Sequence, residues 1–149
     1  MKKSIIELIT DKDDNEAYKN AKLIAAESEK SKKYYKYVDE FVELLNNSNS
    51  YIRTRAFILI CCQAKWDKEE KINSSLSKMF KLFNDEKPTV VRQCLNAIKE
   101  VVIYKPELSS KVLKAIKRID LSNYKESMSS LIKKDINELI SIISEQKTH

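Results

Sequence analysis

Glycine is absent from this chain of 149 residues, where average usage would supply about 10. Phosphate-cradling P-loops, dinucleotide-binding turns and nucleophile elbows all need residues without a Cβ, so the common nucleotide enzymes and α/β-hydrolases are excluded. Histidine occurs once, as the terminal His149, which removes His-based triads, imidazole acid–base pairs and His-rich zinc sites. Cysteine is scarce: Cys61 and Cys62 are adjacent and Cys94 stands alone, a pattern of neither a disulfide framework nor a CxxC metal knuckle. Reduced, largely buried thiols are expected, with Cys94 on a core flank and room for partial reactivity only at Cys61, which projects away from Ala56 and Leu59. Long apolar runs are lacking too. The longest, residues 56–62, falls far short of the ~20 residues that span a bilayer. The basic start Met1-Lys2-Lys3 is followed by Glu7, Asp11, Asp13 and Asp14, which no signal peptide carries. A cytoplasmic protein without a membrane contact is expected.

Charge is plentiful, at 34% of residues, and 42% hydrophobic content suits a folded domain rather than a disordered tail. The net charge is +6. Residues 1–75 carry 14 basic and 13 acidic side chains and residues 76–149 carry 14 and 9, so the excess is C-terminal. Only four of the 28 cations are arginine, the residue that reads phosphate and guanine in bidentate fashion. That ratio favours solubility over nucleic-acid recognition.

Apolar residues recur every three to four positions almost throughout, and helix starts punctuate the pattern. Ile5, Ile6, Leu8 and Ile9 form a short first helix. Asp13, three residues before Glu16, opens a second containing Ala17, Ala21, Ile24 and Ala25. Ser31 is placed to cap a third, with Tyr34, Val38, Phe41, Val42 and Leu45 on one face. The polar loop 46–50 precedes a fourth, from Tyr51 to about Lys65, apolar nearly all round and expected to be the most buried. Ile72, Leu76, Met79, Phe80 and Phe83 mark a fifth. Pro88 and Pro106 stand at first-turn positions of a sixth and seventh, where a missing N–H costs nothing. Residues 122–146 read as one long helix or as two with a break near residues 133–135. No stretch alternates with period two. The fold class is all-α, with about seven to nine helices.

Superposing Arg53 on Arg92, an offset of 39, also superposes Phe41 on Phe80, Ile52 on Val91, Ala56 on Leu95 and Leu59 on Ile98. Each segment reads as an apolar helix, a polar turn and a helix that begins hydrophobic-Arg-x-x-apolar. This pattern resembles HEAT/armadillo-like repeats, two-helix units of about 40 residues. With Trp66-Asp67, Asp85-Glu86-Lys87-Pro88 and Tyr104-Lys105-Pro106 the chain is similar to small bacterial HEAT-like proteins of uncharacterised function. The resemblance implies a single domain, a short right-handed α-α superhelix, with core repeats at about 33–66 and 70–104 and capping helices at 4–27 and 106–146. It supplies a fold and little chemistry; because an all-helical, glycine-free chain has no mobile loop to serve as an active-site lid, the expectation leans away from an enzyme and includes no cofactor or metal.

Six residues are candidates for partner binding. Arg53 and Arg92 place a cation in the first turn of a helix, against the dipole; either they tie repeats together through Asn47, Asp85 or Glu86, or they form an anion site with Arg55, continued by Lys19 and Lys125. Lys99 lies on the same helix as Arg92. Tyr37 belongs to a run of lysines and tyrosines, residues 30–37, in which Tyr34 and Tyr35 fall on the core face and Tyr37 at its border. Trp66, the only tryptophan, is paired with Asp67; HEAT-like DNA-alkylation-repair glycosylases use aromatics and an aspartate in a basic cleft, but those enzymes are longer and use more tryptophans. The main expectation is a non-enzymatic scaffold that binds another protein or peptide along the concave face lined by the second helix of each pair. The alternative is nucleic-acid binding through Arg53, Arg55, Arg92 and Lys99.

Overall fold

The computed structural model describes residues 3–147; Met1, Lys2, Thr148 and the only histidine, His149, lie outside them. The described residues contain no strand and form eight α-helices: α1 (Ile5–Ile9), α2 (Asp14–Ser28), α3 (Val38–Leu44), α4 (Ser50–Cys61), α5 (Lys71–Phe80), α6 (Pro88–Tyr104), α7 (Ser109–Lys117) and α8 (Glu126–Lys147). The all-α class is as the periodicity predicts.

Local chemistry accounts for most of the starts. Ser4 Oγ accepts from Glu7 N–H, Asp13 Oδ1 from Asn15 and Glu16, and Asn49 Oδ1 from Tyr51 and Ile52, each satisfying donors that a helix leaves open. Pro88 is the first residue of α6. Three expected boundaries differ. Ser31 Oγ accepts only from Lys33 N–H, and α3 begins seven residues later, after a 3-10 turn at Tyr35–Tyr37. The α4 helix stops at Cys61 and passes into a 3-10 turn at Ala64–Trp66, where Trp66 and Gln63 turn back toward α2. Pro106 opens a 3-10 turn, Pro106–Leu108, from which α7 continues. The last stretch is one helix, because Ile132, Leu139 and Ile143 keep a single buried face across the suspected break.

Glu70, φ 55°, is the one non-glycine residue in the left-handed region among the described residues, a conformation costing roughly 1–2 kcal/mol. The turn into α5 requires it, and the compensation comes from a distance: the Asp67 carboxylate accepts from the N–H groups of Lys71 (2.9 Å) and Ile72 (3.0 Å), capping α5 in place of Glu70.

The helices lie in two layers. α2, α4, α6 and α8 pack side by side, while α3, α5 and α7 cover their other face. One continuous core fills the space between, with Phe41, Phe57, Leu59, Ile72, Val91, Leu95, Ile98 and Ile132 fully buried. The Phe57 and Phe83 rings meet at 5.9 Å, and Phe80 stacks on Phe83 at 5.5 Å. The offset of 39 has a physical meaning at its centre: Ala56 and Leu95, like Leu59 and Ile98, occupy the same buried face of α4 and α6. It weakens at the edges, where Phe80 and Ile52 are half-buried against fully buried Phe41 and Val91.

Polar ties recur near the same separation. Trp66 Nε1 donates to Ser28 O (2.7 Å), Lys105 Nζ to Asp67 Oδ2 (2.5 Å) and Tyr124 Oη to Asp85 O (2.6 Å), spanning 38, 38 and 39 residues. Each fastens one helix pair to the next.

Candidate functional site, a groove along helix α6

Because α6 lies between α4 and α8, its outer stripe forms the floor of a groove walled by both neighbours. The stripe is Arg92, Asn96, Glu100 and Tyr104, every fourth residue, with Lys99 and Ile103 beside it. The groove has a volume of about 850 Å3. Its apolar part lies toward the C-terminal end of α6, where Ile103 and Tyr104 are 53% and 48% exposed and share the lining with Ile58 of α4 and Cys62, just past its end. Val101 and Val102, one turn-face away, are fully buried. Two large apolar side chains thus stand open to solvent in a concavity.

The polar part is internally compensated. Arg92 grips Asp135 of α8 with two bonds, Nε–Oδ2 2.7 Å and Nη2–Oδ1 3.2 Å, and Lys99 Nζ lies 3.4 Å from Glu138 Oε2. Glu100 and Lys134 line the groove without an ion-pair partner among the described residues. Burial raises the Glu100 carboxyl above its ordinary range; Glu29 adds to that and Lys65 opposes it. The Lys65 ammonium lies 5.2 Å from the Tyr104 ring and 5.8 Å from the Trp66 ring, and donates to Glu29 O at 2.8 Å. The Cys62 thiol is pushed up to about 12 by burial, with Glu100 and Glu29 contributing. Cys61 and Cys94 are buried, and burial raises both thiols well above the ordinary range. Cys61, the thiol whose protection was the less certain from its position on the helical wheel, is enclosed at 1% exposure, and the half-buried thiol at the groove is Cys62.

Of the six candidates, Arg92 and Lys99 line the groove and the other four do not. Arg53 is half-buried in the ladder geometry: Nε and Nη2 hold Asp85 at 3.0 Å each, and Nη1 donates to the carbonyls of Asn47 and Ser48. Its row is not continued by Lys19, which lies 3.8 Å from Glu16 on the surface of α2. Arg55 is buried and points the other way, 3.6 Å from Asp14 at the start of α2, with Nε and Nη2 making no hydrogen bond. Trp66 is held by Ser28 O, and Tyr37 is half-buried in its 3-10 turn with Lys36 Nζ 5.4 Å from its ring.

Asp67, which the sequence invites comparing with a glycosylase aspartate, is fully engaged. Tyr35 Oη and Lys105 Nζ each approach to 2.5 Å, the N–H groups of Lys71 and Ile72 complete the set, and Lys105 also contacts Asn73 Oδ1. Burial raises its carboxyl, but bonds from Lys105, Tyr35 and Ile72 outweigh that and hold it below the ordinary carboxylate range. Such a carboxylate is a structural anchor with no lone pair left for a substrate.

The groove residues that the sequence does not mark are Glu100, Ile103, Tyr104 and Cys62. One signal was available: the repeat Asn96, Glu100, Tyr104 places polar and aromatic residues on one stripe of an otherwise apolar helix. No group of three potential metal-ligating side chains exists among the described residues, and no helix of theirs is long and apolar enough to cross a membrane. Compared with protein-family models, curated proteins and solved structures, the chain finds no match.

Proposed function

We propose that this chain is a HEAT/armadillo-like repeat scaffold of the cytoplasm, its helix pairs stacked in a short right-handed superhelix, which holds a peptide segment of another protein in the α6 groove. The observation that carries the reading is the exposure of Ile103 and Tyr104 on a grooved surface, since exposed apolar side chains in a concavity mark interaction sites more often than isolated ones do. The flanking ion pairs would form the polar rim. Nucleic-acid binding through Arg53, Arg92 and Lys99 is the weaker reading: each of these cations already faces a carboxylate at 3.4 Å or closer, and a phosphate-tracking surface needs cations free to replace counterions.

The test is affinity capture from the native cell under nuclease treatment, comparing wild type with Ile103→Asp and Tyr104→Ala. A protein that survives nuclease and is lost from both variants supports the scaffold reading. Capture that both variants retain, or that nuclease abolishes, overturns it.

A further inference from the structure

On the opposite layer, α5 and α7 enclose a second, shallower cleft of about 350 Å3. Its floor is apolar, made by Leu76, half-buried Phe80 and Ala115. Its rim carries Lys111, Lys114 and Arg118, all exposed, and no acidic side chain lines it. None of these three cations has an ion pair among the described residues. The contrast with the α6 groove, where Arg92 and Lys99 are answered by Asp135 and Glu138, is a contrast between a neutralised surface and an unanswered one.

The arrangement is costly to the free protein. Lys111, Lys114 and Arg118 follow i, i+3 and i+7 spacing down one face of α7 and its C-cap, so like charges stand as neighbours and repel. Lys111 also occupies the first turn of α7, where a cation opposes the helix dipole, although Lys114 and Lys117 in the last turn complement it. Segment 109–118 contains no carboxylate to relieve the repulsion. Anions from outside the chain would relieve it, and the apolar floor says what kind. A nucleic-acid backbone offers phosphates with nothing to place on Leu76, Phe80 and Ala115, and the stripe spans only roughly 10 Å at helical rise, room for two or three phosphates. An amphipathic helix offers both parts, apolar residues for the floor and carboxylates at matching helical spacing for the rim.

We infer that the α5–α7 cleft docks an acidic amphipathic helix of a partner protein, a second site independent of the α6 groove. The probe is a fluorescein-labelled peptide of about 18 residues, long enough to be helical, with leucines on one face and glutamates flanking them at i, i+4 and i+7. Fluorescence anisotropy should show saturable binding that weakens as salt rises, and Lys111→Glu/Lys114→Glu/Arg118→Glu should lower affinity by at least about tenfold, the mark of an electrostatically matched rim. The milder Lys111→Gln/Lys114→Gln/Arg118→Gln variant should show a smaller loss in the same direction, which keeps the test sound if the reversed protein folds poorly by circular dichroism. Ile103→Asp, in the other groove, should leave this affinity unchanged. Absence of binding, equal binding by the charge-reversed protein, equal binding of a scrambled peptide of the same composition, or tighter binding of a duplex DNA oligonucleotide or of anionic phospholipid vesicles would each overturn the assignment.

Discussion

Replacing Lys105 with Met isolates the buried anchor on which the end of α6 hangs. Asp67 and Lys105 have side chains 0% and 6% exposed, with Nζ 2.5 Å from Oδ2. Methionine keeps most of the unbranched apolar stem and removes the charged end, so Asp67 is left buried with Tyr35 Oη and two backbone N–H groups as its only partners. Breaking a buried pair from one side costs ~3–5 kcal/mol, since the survivor stays desolvated. Against the roughly 5–15 kcal/mol that holds a typical domain together, Lys105→Met should lower the urea midpoint by about 2 M at an ordinary slope. The double variant Asp67→Asn/Lys105→Met should recover part of that loss, because neither partner then carries an unmatched charge. Acid titration adds a second readout. The carboxyl of Asp67 is held below its unfolded value of 3.8, so its contribution is complete above about pH 3.8 and disappears as pH falls through the lower, folded value. Asp67→Asn should therefore flatten the acid limb of the stability curve below that pH. A loss under about 1 kcal/mol for Lys105→Met, the range of an exposed pair, would refute the anchor and reopen Asp67 as a working carboxylate.

The two ladder arginines should differ in thermal melts: Arg53→Ala, which removes bonds to Asp85, Asn47 and Ser48 from a side chain 13% exposed, by roughly 2–3 kcal/mol, and Arg92→Ala, 37% exposed, by about 1 kcal/mol or less; equal effects would contradict the geometry. In native buffer a maleimide should label Cys62 slowly, faster as pH rises toward about 12, and should leave Cys61 and Cys94 unmodified until the protein unfolds. Glu100→Gln should raise the melting temperature at pH 7 to 8. A carboxyl whose folded value is raised by burial costs stability once ionised, so the gain should vanish as pH falls toward the unfolded 4.5; a gain that persists there would point to a cause other than charge.

What could be read from the sequence was what local chemistry decides. Asp13 caps the helix it was expected to open, the polar loop 46–50 supplies the α4 cap through Asn49, Pro88 starts α6, and the tyrosine run divides into buried Tyr34 and Tyr35 and half-buried Tyr37. The acceptor for Arg53 was legible because Asp85 lies in the polar loop that leads into α6. Asp135, the acceptor for Arg92, was not, since it lies within the last helix, 43 residues on. Ser31 has the composition of a cap, but the chain after it is drawn elsewhere by Tyr35 Oη, which reaches across to Asp67. The groove was least legible. Among the five residues before Pro106, Val101 and Val102 are buried while Ile103 and Tyr104 are open, and hydrophobicity alone does not rank them.

That split along the last turn of α6 has a mechanical cause which links the anchor to the groove. An apolar pair such as Ile103 and Tyr104 would gain by rotating inward, at roughly 25 cal/mol for each Å2 of apolar surface removed from water. Lys105, next in the chain, prevents the rotation. Its backbone N–H closes the helix on Val101 O at 2.7 Å, and its side chain is drawn into the protein by Asp67 and Asn73. On the outer side Lys65 holds the Tyr104 ring from above. With residue 105 fixed inward at the helix end and Ile98, Val101 and Val102 buried along one face, helical geometry turns residues 103 and 104 outward. The buried ion pair therefore also sets which apolar side chains the groove presents, so Lys105→Met should weaken groove binding in addition to stability, whereas Arg53→Ala, which loosens a tie at the far end of the same layer, should weaken stability alone.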